Sequence, residues 1–178
     1  TLDIEKICAL HGPVLSENLA HYLDLYNKWS SYTPEKDGVM IAYASIYGNT
    51  KKAAELLYDK LKAKNVDVII TDLARCDMSK AISDAFAYGK LVLATPTYNA
   101  DVFPFMRTFI EGLTERNYQK RTVAFIENGA WAPMAAKVMA GMFEKSKELN
   151  ILDKTVKITC SLNDASAAQV DELADELA

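Results

Sequence analysis

Residues 45 to 50, Ser45-Ile46-Tyr47-Gly48-Asn49-Thr50, put hydroxyls, an amide and a glycine between the apolar run Val39 to Ala44 and a helical pattern carrying Ala53, Ala54, Leu57 and Leu61. Glycine lets the backbone approach a ligand closely. The N–H groups at a helix start, with the hydroxyls of Ser45 and Thr50, form a cup for a phosphate dianion that the helix dipole also favours. No Lys or Arg lies inside the six residues. Such a cup can hold a terminal phosphate but is poorly equipped to cleave one. A P-loop needs GxxxxGK followed by Ser or Thr, and a dinucleotide fingerprint needs three spaced glycines; neither is present. Asp72, at the end of the second strand, could mimic a ribose-binding acid, but without those glycines it reads as a surface residue. Taken alone, the stretch could also be an ordinary helix cap with Asn49 or Thr50 as the capping residue.

Two further loops change that balance. Pro96, Thr97, Tyr98, Asn99 and Ala100 follow the run Lys90 to Thr95, presenting hydroxyl, aromatic and amide groups before Pro104 opens a helix. Asn128, Gly129, Ala130 and Trp131 follow the run Thr122 to Glu127, and Asn128-Gly129 suits a positive φ. A tryptophan on an exposed loop is costly unless it covers something flat, although alone it is more often a packing residue. Together the three loops describe a site with an anion at one end and a planar ring at the other.

The elements that must position these loops are legible in the hydrophobic pattern. From residue 39, short apolar runs alternate with amphipathic segments, as in a parallel sheet with crossover helices. The runs are Val39 to Ala44, Val66 to Asp72, Lys90 to Thr95, Thr122 to Glu127 and Thr155 to Ser161. Helical patterns fall between them, one of them over Ile82 to Tyr88, and a last helix carries Val170, Leu173, Ala174 and Leu177. Right-handed crossovers make the strand order 2-1-3-4-5 a good fit. In such a sheet the ligand sits beyond the carboxyl ends of the strands, where these loops lie. Residues 1 to 37 stand outside the repeat: a strand ending in a loop, then Leu19, Tyr22, Leu23, Tyr26 and Trp29 at helical spacing, then a turn-rich linker.

At 178 residues and half apolar, the chain suits one globular unit with an appendage. A net charge of −4 with dispersed basic residues argues against a nucleic-acid surface. No apolar run is long enough for a membrane span and no signal-peptide pattern is present, so a cytoplasmic location is expected. Cys8, Cys76 and Cys160 are far apart and form no CxxC pair. They read as reduced, mostly buried thiols rather than a disulfide or zinc framework.

The loop Ser45, Tyr47, Gly48, Thr50, with Ile46 and Asn49 at the free positions, resembles the first loop of the flavodoxins. The likeness runs from about residue 38 to the end. It implies an α/β flavodoxin-like three-layer sandwich with a five-stranded parallel sheet, and an FMN cofactor. By the same resemblance, residues 45 to 50 hold the FMN phosphate, 96 to 100 run along the isoalloxazine, and 128 to 131 close its other side. Whether Tyr98 or Trp131 stacks on the ring is left open, because this chain has Ala132-Pro133 where many flavodoxins carry an aromatic. With no cation in the cup and Glu127 and Asp101 near the loops, a reduced anionic flavin should be disfavoured electrostatically.

"ICALHGPVL" at 7 to 15, followed by "YNKWSSY" at 26 to 32, resembles the junction of flavodiiron proteins, where a diiron domain runs into a flavodoxin domain. That resemblance makes residues 1 to 37 the remnant of the diiron domain plus a linker helix, and 38 to 178 the FMN domain. It gives His11 the role of an iron ligand in a longer chain. The only other histidine is His21, so no metal site is expected within this chain. The implied function is relay of electrons from a redox partner, such as rubredoxin or an NAD(P)H-dependent reductase, to the diiron site of an oxygen or nitric oxide reductase, homodimeric at full length. A free-standing flavodoxin and an NAD(P)H-quinone reductase are the alternatives. A signalling receiver domain would need an Asp where strand three ends in Ala94-Thr95-Pro96.

Overall fold

The computed structural model describes residues 3–178. At the start of the chain, β1 (Ile7–Cys8) and β2 (Val14–Leu15) pair antiparallel, so the expected single strand is a small hairpin with His11 in its exposed turn. Helix α1 (Leu19–Ser31) follows and buries none of its residues. Tyr22, Tyr26 and Trp29 recur along it at helical spacing, and all three are exposed.

The repeat then begins: β3 (Lys36–Tyr43), α2 (Asn49–Ala63), β4 (Val68–Asp72), α3 (Met78–Ala87), β5 (Tyr88–Tyr98), β6 (Asp101–Val102), α4 (Pro104–Thr114), β7 (Thr122–Asn128), α5 (Ala135–Met142), β8 (Asn150–Ile158) and α6 (Asp164–Leu177). The main strands lie in the order β4-β3-β5-β7-β8 and all pair parallel. Counted from β3, this is the expected 2-1-3-4-5, and the fold is a flavodoxin-like three-layer α/β sandwich. No helix among the described residues is long and apolar enough to cross a membrane.

Successive strand residues point to opposite faces, which is why the central runs are apolar throughout. Met40, Ala42, Leu91, Leu93, Val123 and Phe125 belong to the core that includes Ala81, Phe109 and Met139 of α3, α4 and α5. Val39, Ile41, Val92, Ala94, Ala124 and Ile126 belong to the other, with Leu57 and Leu61 of α2 and Leu173 of α6. Each fully buried leucine contributes about 2 kcal/mol relative to leaving it in water.

Two element boundaries and the burial of the cysteines differ from the sequence reading. Tyr88 opens β5 instead of closing a helix: the buried Arg121 guanidinium takes the carbonyls of both Phe86 and Tyr88, ending the helical ladder there. β8 starts at Asn150 because a register shift against β7 between Val123 and Phe125 absorbs the polar stretch before Thr155. The cysteines are not mostly buried: Cys8 and Cys160 are exposed and Cys76 is half-buried. Cys8 belongs to the small hairpin and Cys160 follows the end of β8, outside both cores.

Candidate functional site

The chain leaves β3, passes to β4 on one side, and then crosses to β5 on the other, so strand order reverses between β3 and β5. Loops diverge at such a point and leave a crevice at the carboxyl ends of the strands. A cleft of about 260 Å³ lies there, bounded by the exits of β3, β5, β7 and β8. Ser45, Ile46, Tyr47, Asn49 and Thr50 line it on one side, with Pro96, Thr97, Asn128, Gly129 and Ala130 from the other two expected loops. Cys160 completes the lining.

The first loop is built for an anion. Gly48 is the N-cap of α2 with φ 84°, a left-handed conformation that glycine adopts without a Cβ penalty. Neither Asn49 nor Thr50 caps the helix, and no side chain does. The first turn of α2 therefore keeps its positive end directed out of the helix. Ser45 Oγ accepts from the Gly48 amide at 3.1 Å, which folds the loop back on itself. Thr50 is buried, and its hydroxyl oxygen accepts from Asn128 Nδ2 at 3.3 Å. The same amide group donates to the Cys160 carbonyl at 3.2 Å. One side chain thus ties together the exits of β3, β7 and β8.

The other loops are held by α5. Thr97 Oγ1 accepts from the amides of Met134 and Ala135 at 3.0 and 3.2 Å, and Glu127 accepts from the Ala136 amide at 3.0 Å. The buried Glu127 carboxylate is thereby placed at the N-terminus of α5, where the helix dipole offsets its charge. Gly129 has no positive φ; that conformation falls to Ala132. Its need for glycine is steric, since a Cβ would meet Pro133 Cβ at 3.1 Å and Thr97 Oγ1 at 3.3 Å.

Gly48, Tyr98, Asn99, Ala100 and Trp131 are not in the cleft lining. Tyr98 and Asp101 face each other across a two-residue hairpin whose central residues, Asn99 and Ala100, both have positive φ, as this kind of turn requires. Tyr98 packs edge-on against Phe103 and keeps about two-fifths of its surface exposed. Trp131 and Tyr47 are each 90% exposed on loops that bound the cleft. Asp101 is bonded by the Arg107 guanidinium, which holds its carboxyl below the usual carboxylate range. Arg107 balances its charge locally and the α5 dipole offsets that of Glu127, so these two carboxylates weigh less on a reduced anionic ring than the sequence alone suggests, while the cup still holds no cation.

The family model for flavodoxin matches residues 41–165. The chain belongs to the flavodoxin family. Among curated relatives, an uncharacterized protein of Methanocaldococcus jannaschii is 29% identical over 180 residues, 99% of this chain and 45% of its own length. An anaerobic nitric oxide reductase flavorubredoxin of Enterobacter sp. is 28% identical over 131 residues, 72% of this chain and 27% of its own. The chain spans less than half the length of these relatives. Among solved structures, the rubredoxin oxygen:oxidoreductase of Desulfovibrio gigas superposes with a TM-score of 0.88 at 19% identity, covering 97% of this chain and 43% of that one. The flavodiiron protein of Giardia intestinalis gives 0.89 at 16%, covering 99% and 44%. A flavodoxin from the domain Archaea gives 0.67 at 19%, covering 79% and 95%. A flavodoxin without an appendage thus accounts for less of this chain than the longer proteins do.

Cys160 is the lining residue that the sequence reading missed. It follows β8, whose pairing of Ile158 with Asn128 brings the two exits together. Its one sequence signal is position, at the carboxyl end of the fifth run, Thr155 to Ser161.

Proposed function

We propose that this chain is an FMN-binding electron-transfer domain that relays electrons from a redox partner protein to a diiron site in a longer flavodiiron oxygen or nitric oxide reductase. The observation that carries the flavin reading is the convergence, at the strand-order reversal, of an uncapped helix N-terminus with polar and aromatic loops. The donor set fits FMN. Ser45, Thr50 and the amides at the start of α2 would hold its phosphate, with no cation to assist phosphate cleavage. Asn128 fixes the spacing between that cup and the ring end. Residues 96 to 100 and 128 to 131 would flank the ring, with Tyr98 or Trp131 covering a face and excluding water. When bound, FMN supplies electron transfer; the protein sets its orientation and surroundings.

The near-complete superposition on two longer diiron-type or rubredoxin-linked oxidoreductases supports the relay over a free-standing carrier. In this reading residues 1 to 37 are the end of a preceding diiron unit plus a linker helix, and His11 is one ligand of an iron pair whose other ligands lie elsewhere in the longer protein. Among the described residues no three His, Cys, Asp or Glu side chains cluster as a metal site. The longer protein would be a cytoplasmic homodimer, with rubredoxin or an NAD(P)H-dependent reductase as donor. Titrating flavin-free protein into FMN and following quenching of flavin fluorescence tests the cofactor. One-to-one saturation supports the reading, and absence of binding sinks it. Direct bleaching of the bound flavin by NADH or NADPH would instead favour the quinone reductase.

A further inference from the structure

The phosphate loop has a second side. Ser45 and Ile46 line the cleft described above and also a separate pocket of about 330 Å³, bounded further by Gly48, Lys51, Asp72 and Arg75. The cleft has no cationic side chain in its lining, and this pocket has two. They are not equivalent. Arg75 Nη1 donates to Asp72 Oδ2 at 2.9 Å, and Asp72, which the sequence alone makes a surface acid, has a side chain only 19% exposed. The Tyr43 hydroxyl donates to the same oxygen at 3.3 Å and the Ala74 amide to Oδ1 at 3.0 Å. Arg75 is thus matched by a well-held carboxylate. Among the described residues Lys51 pairs with Glu55 alone, at 3.6 Å with both side chains about half-exposed, a contact that solvent screens.

Lys51 also stands where a helix disfavours it. Backbone dipoles leave a partial positive charge at a helix start, so carboxylates stabilise a first turn and cations weaken it. Three helices of this chain follow that rule: Asp77 takes two amides at the start of α3, Glu127 takes one at the start of α5, and Asn163 caps α6 with Asp164 in its first turn. Helix α2 does the reverse. It has no side-chain cap and no acid in its first turn, and Lys51 and Lys52 are its third and fourth residues. Local rules are broken in this way at functional sites, where something outside the chain restores the balance. A phosphate monoester loses its second proton near about pH 6 and so brings two negative charges to that end.

We propose that Lys51 is the counter-charge of the flavin phosphate, acting through the backbone of the 45 to 50 loop from the pocket behind it, and that it selects phosphorylated over phosphate-free flavin. This rests on the flavin reading of the cleft. Flavin-free protein is titrated with FMN and with riboflavin, following flavin fluorescence, at low and high salt. The variants are Lys51→Ala, Lys51→Arg and Lys52→Ala, the last removing the same charge from the next residue, which lines neither pocket. At low ionic strength Lys51→Ala weakens FMN about three- to fivefold, the range of one screened ion pair, and changes riboflavin by less than about 1.5-fold. The difference disappears at about 1 M salt. Lys51→Arg keeps the FMN affinity, and Lys52→Ala shifts it by less than about 1.5-fold. Urea unfolding of the flavin-free protein gives a second readout: Lys51→Ala is no less stable than the unaltered chain, because α2 loses a misplaced cation. An unchanged FMN affinity, equal weakening of FMN and riboflavin, equal effects at Lys51 and Lys52, a loss that persists at high salt, or a destabilised flavin-free variant each overturns the counter-charge and leaves the flavin reading intact. Failure of both flavins to bind overturns that reading with it.

Discussion

Asn128 Nδ2 lies 3.3 Å from Thr50 Oγ1, a side-chain contact between residues 78 apart in sequence that closes the phosphate loop against the end of β7. The same Nδ2 reaches the Cys160 carbonyl, so a single amide holds three strand exits at a fixed distance. This buried donor ties the anion cup to the ring loops, beside the Ser45–Gly48 bond and the Thr97 and Glu127 bonds to α5 that shape each loop.

Asn128→Ala removes that donor and leaves the Cys160 carbonyl without it. Stability falls by about 1–2 kcal/mol, the cost of orphaning a buried hydrogen-bonding group. Flavin affinity falls more steeply than stability, because the two halves of the site lose their common tether. Urea denaturation beside a flavin titration separates the effects. An unchanged flavin affinity would mean that Asn128 is a packing residue only.

Gly48 and Gly129 require glycine for opposite reasons, and alanine at each reports which. At Gly48 a Cβ meets nothing within 4 Å, but φ is 84°. Gly48→Ala therefore costs about 1–2 kcal/mol of conformational strain and distorts the cup where phosphate would bind. At Gly129 the backbone is ordinary and the obstacle is Pro133 and the Thr97 hydroxyl. Gly129→Ala pushes Pro133 outward and disturbs the Thr97 cap on α5. Thermal unfolding shows both losses. Pro133→Ala does not rescue the second variant, because the obstructing atoms are Pro133 Cβ and Cα, which alanine keeps.

Much of this arrangement is visible in the sequence because the sheet is covered on both faces. Continuous apolar runs such as Met40-Ile41-Ala42 and Leu91-Val92-Leu93 can only be central strands here, and the loops at their carboxyl ends follow from topology. What is hidden depends on pairing between distant strands. Cys160 reaches the cleft only through the register of β8 on β7, and Asp72 leaves the surface only because Tyr43 and Arg75 close over it. The ends of elements are hidden for a similar reason: the boundary between α3 and β5 is set by Arg121, which lies 33 residues beyond Tyr88 in sequence. No local propensity records such a partner.

Alkaline pH destabilises the fold through two tyrosines. In an unfolded chain a tyrosine titrates near 10. In the fold Tyr43 is pushed up to about 12, by burial first and then by the Asp72 carboxylate. Burial also raises Tyr118, against the opposing charge of Arg121. Both groups are held protonated, so their contribution is complete below about pH 10 and declines as pH rises through about 12. Tyr118 differs in having a buried hydroxyl with no hydrogen-bond partner among the described residues. Tyr118→Phe removes that orphan and raises stability at neutral pH by about 1 kcal/mol. Tyr43→Phe lessens the alkaline loss without that gain. Urea midpoints between pH 7 and 12 check both, and a neutral-pH loss in Tyr118→Phe would show that the hydroxyl has a partner.

Arg121 joins the linker to the sheet. Its buried guanidinium donates to Tyr88 O at 2.9 Å, to Lys120 O and Gln119 O at 3.1 and 3.2 Å, and to the carbonyls of Tyr32 and Phe86. No carboxylate is among these partners, so carbonyl dipoles alone stabilise the charge, and burial lowers its pKa. Lys120 adds a bond to the Ser31 carbonyl beside the same helix end, and the Glu35 amide bonds the Ala87 carbonyl. Arg121→Met fills similar volume but leaves five carbonyls on three segments without their shared donor. It costs about 3 kcal/mol, since hydrogen bonds from a charged donor are worth about 1.5–3 kcal/mol and buried carbonyls are left without a partner. Arg121→Lys recovers only part of this, because an ammonium cannot span the same fork of acceptors. Amide exchange distinguishes a joint from a general core defect. In Arg121→Met, residues 31 to 36 and 86 to 88 should lose protection before the strands around Ile41 and Val92 do, and uniform loss across the sheet would refute the role.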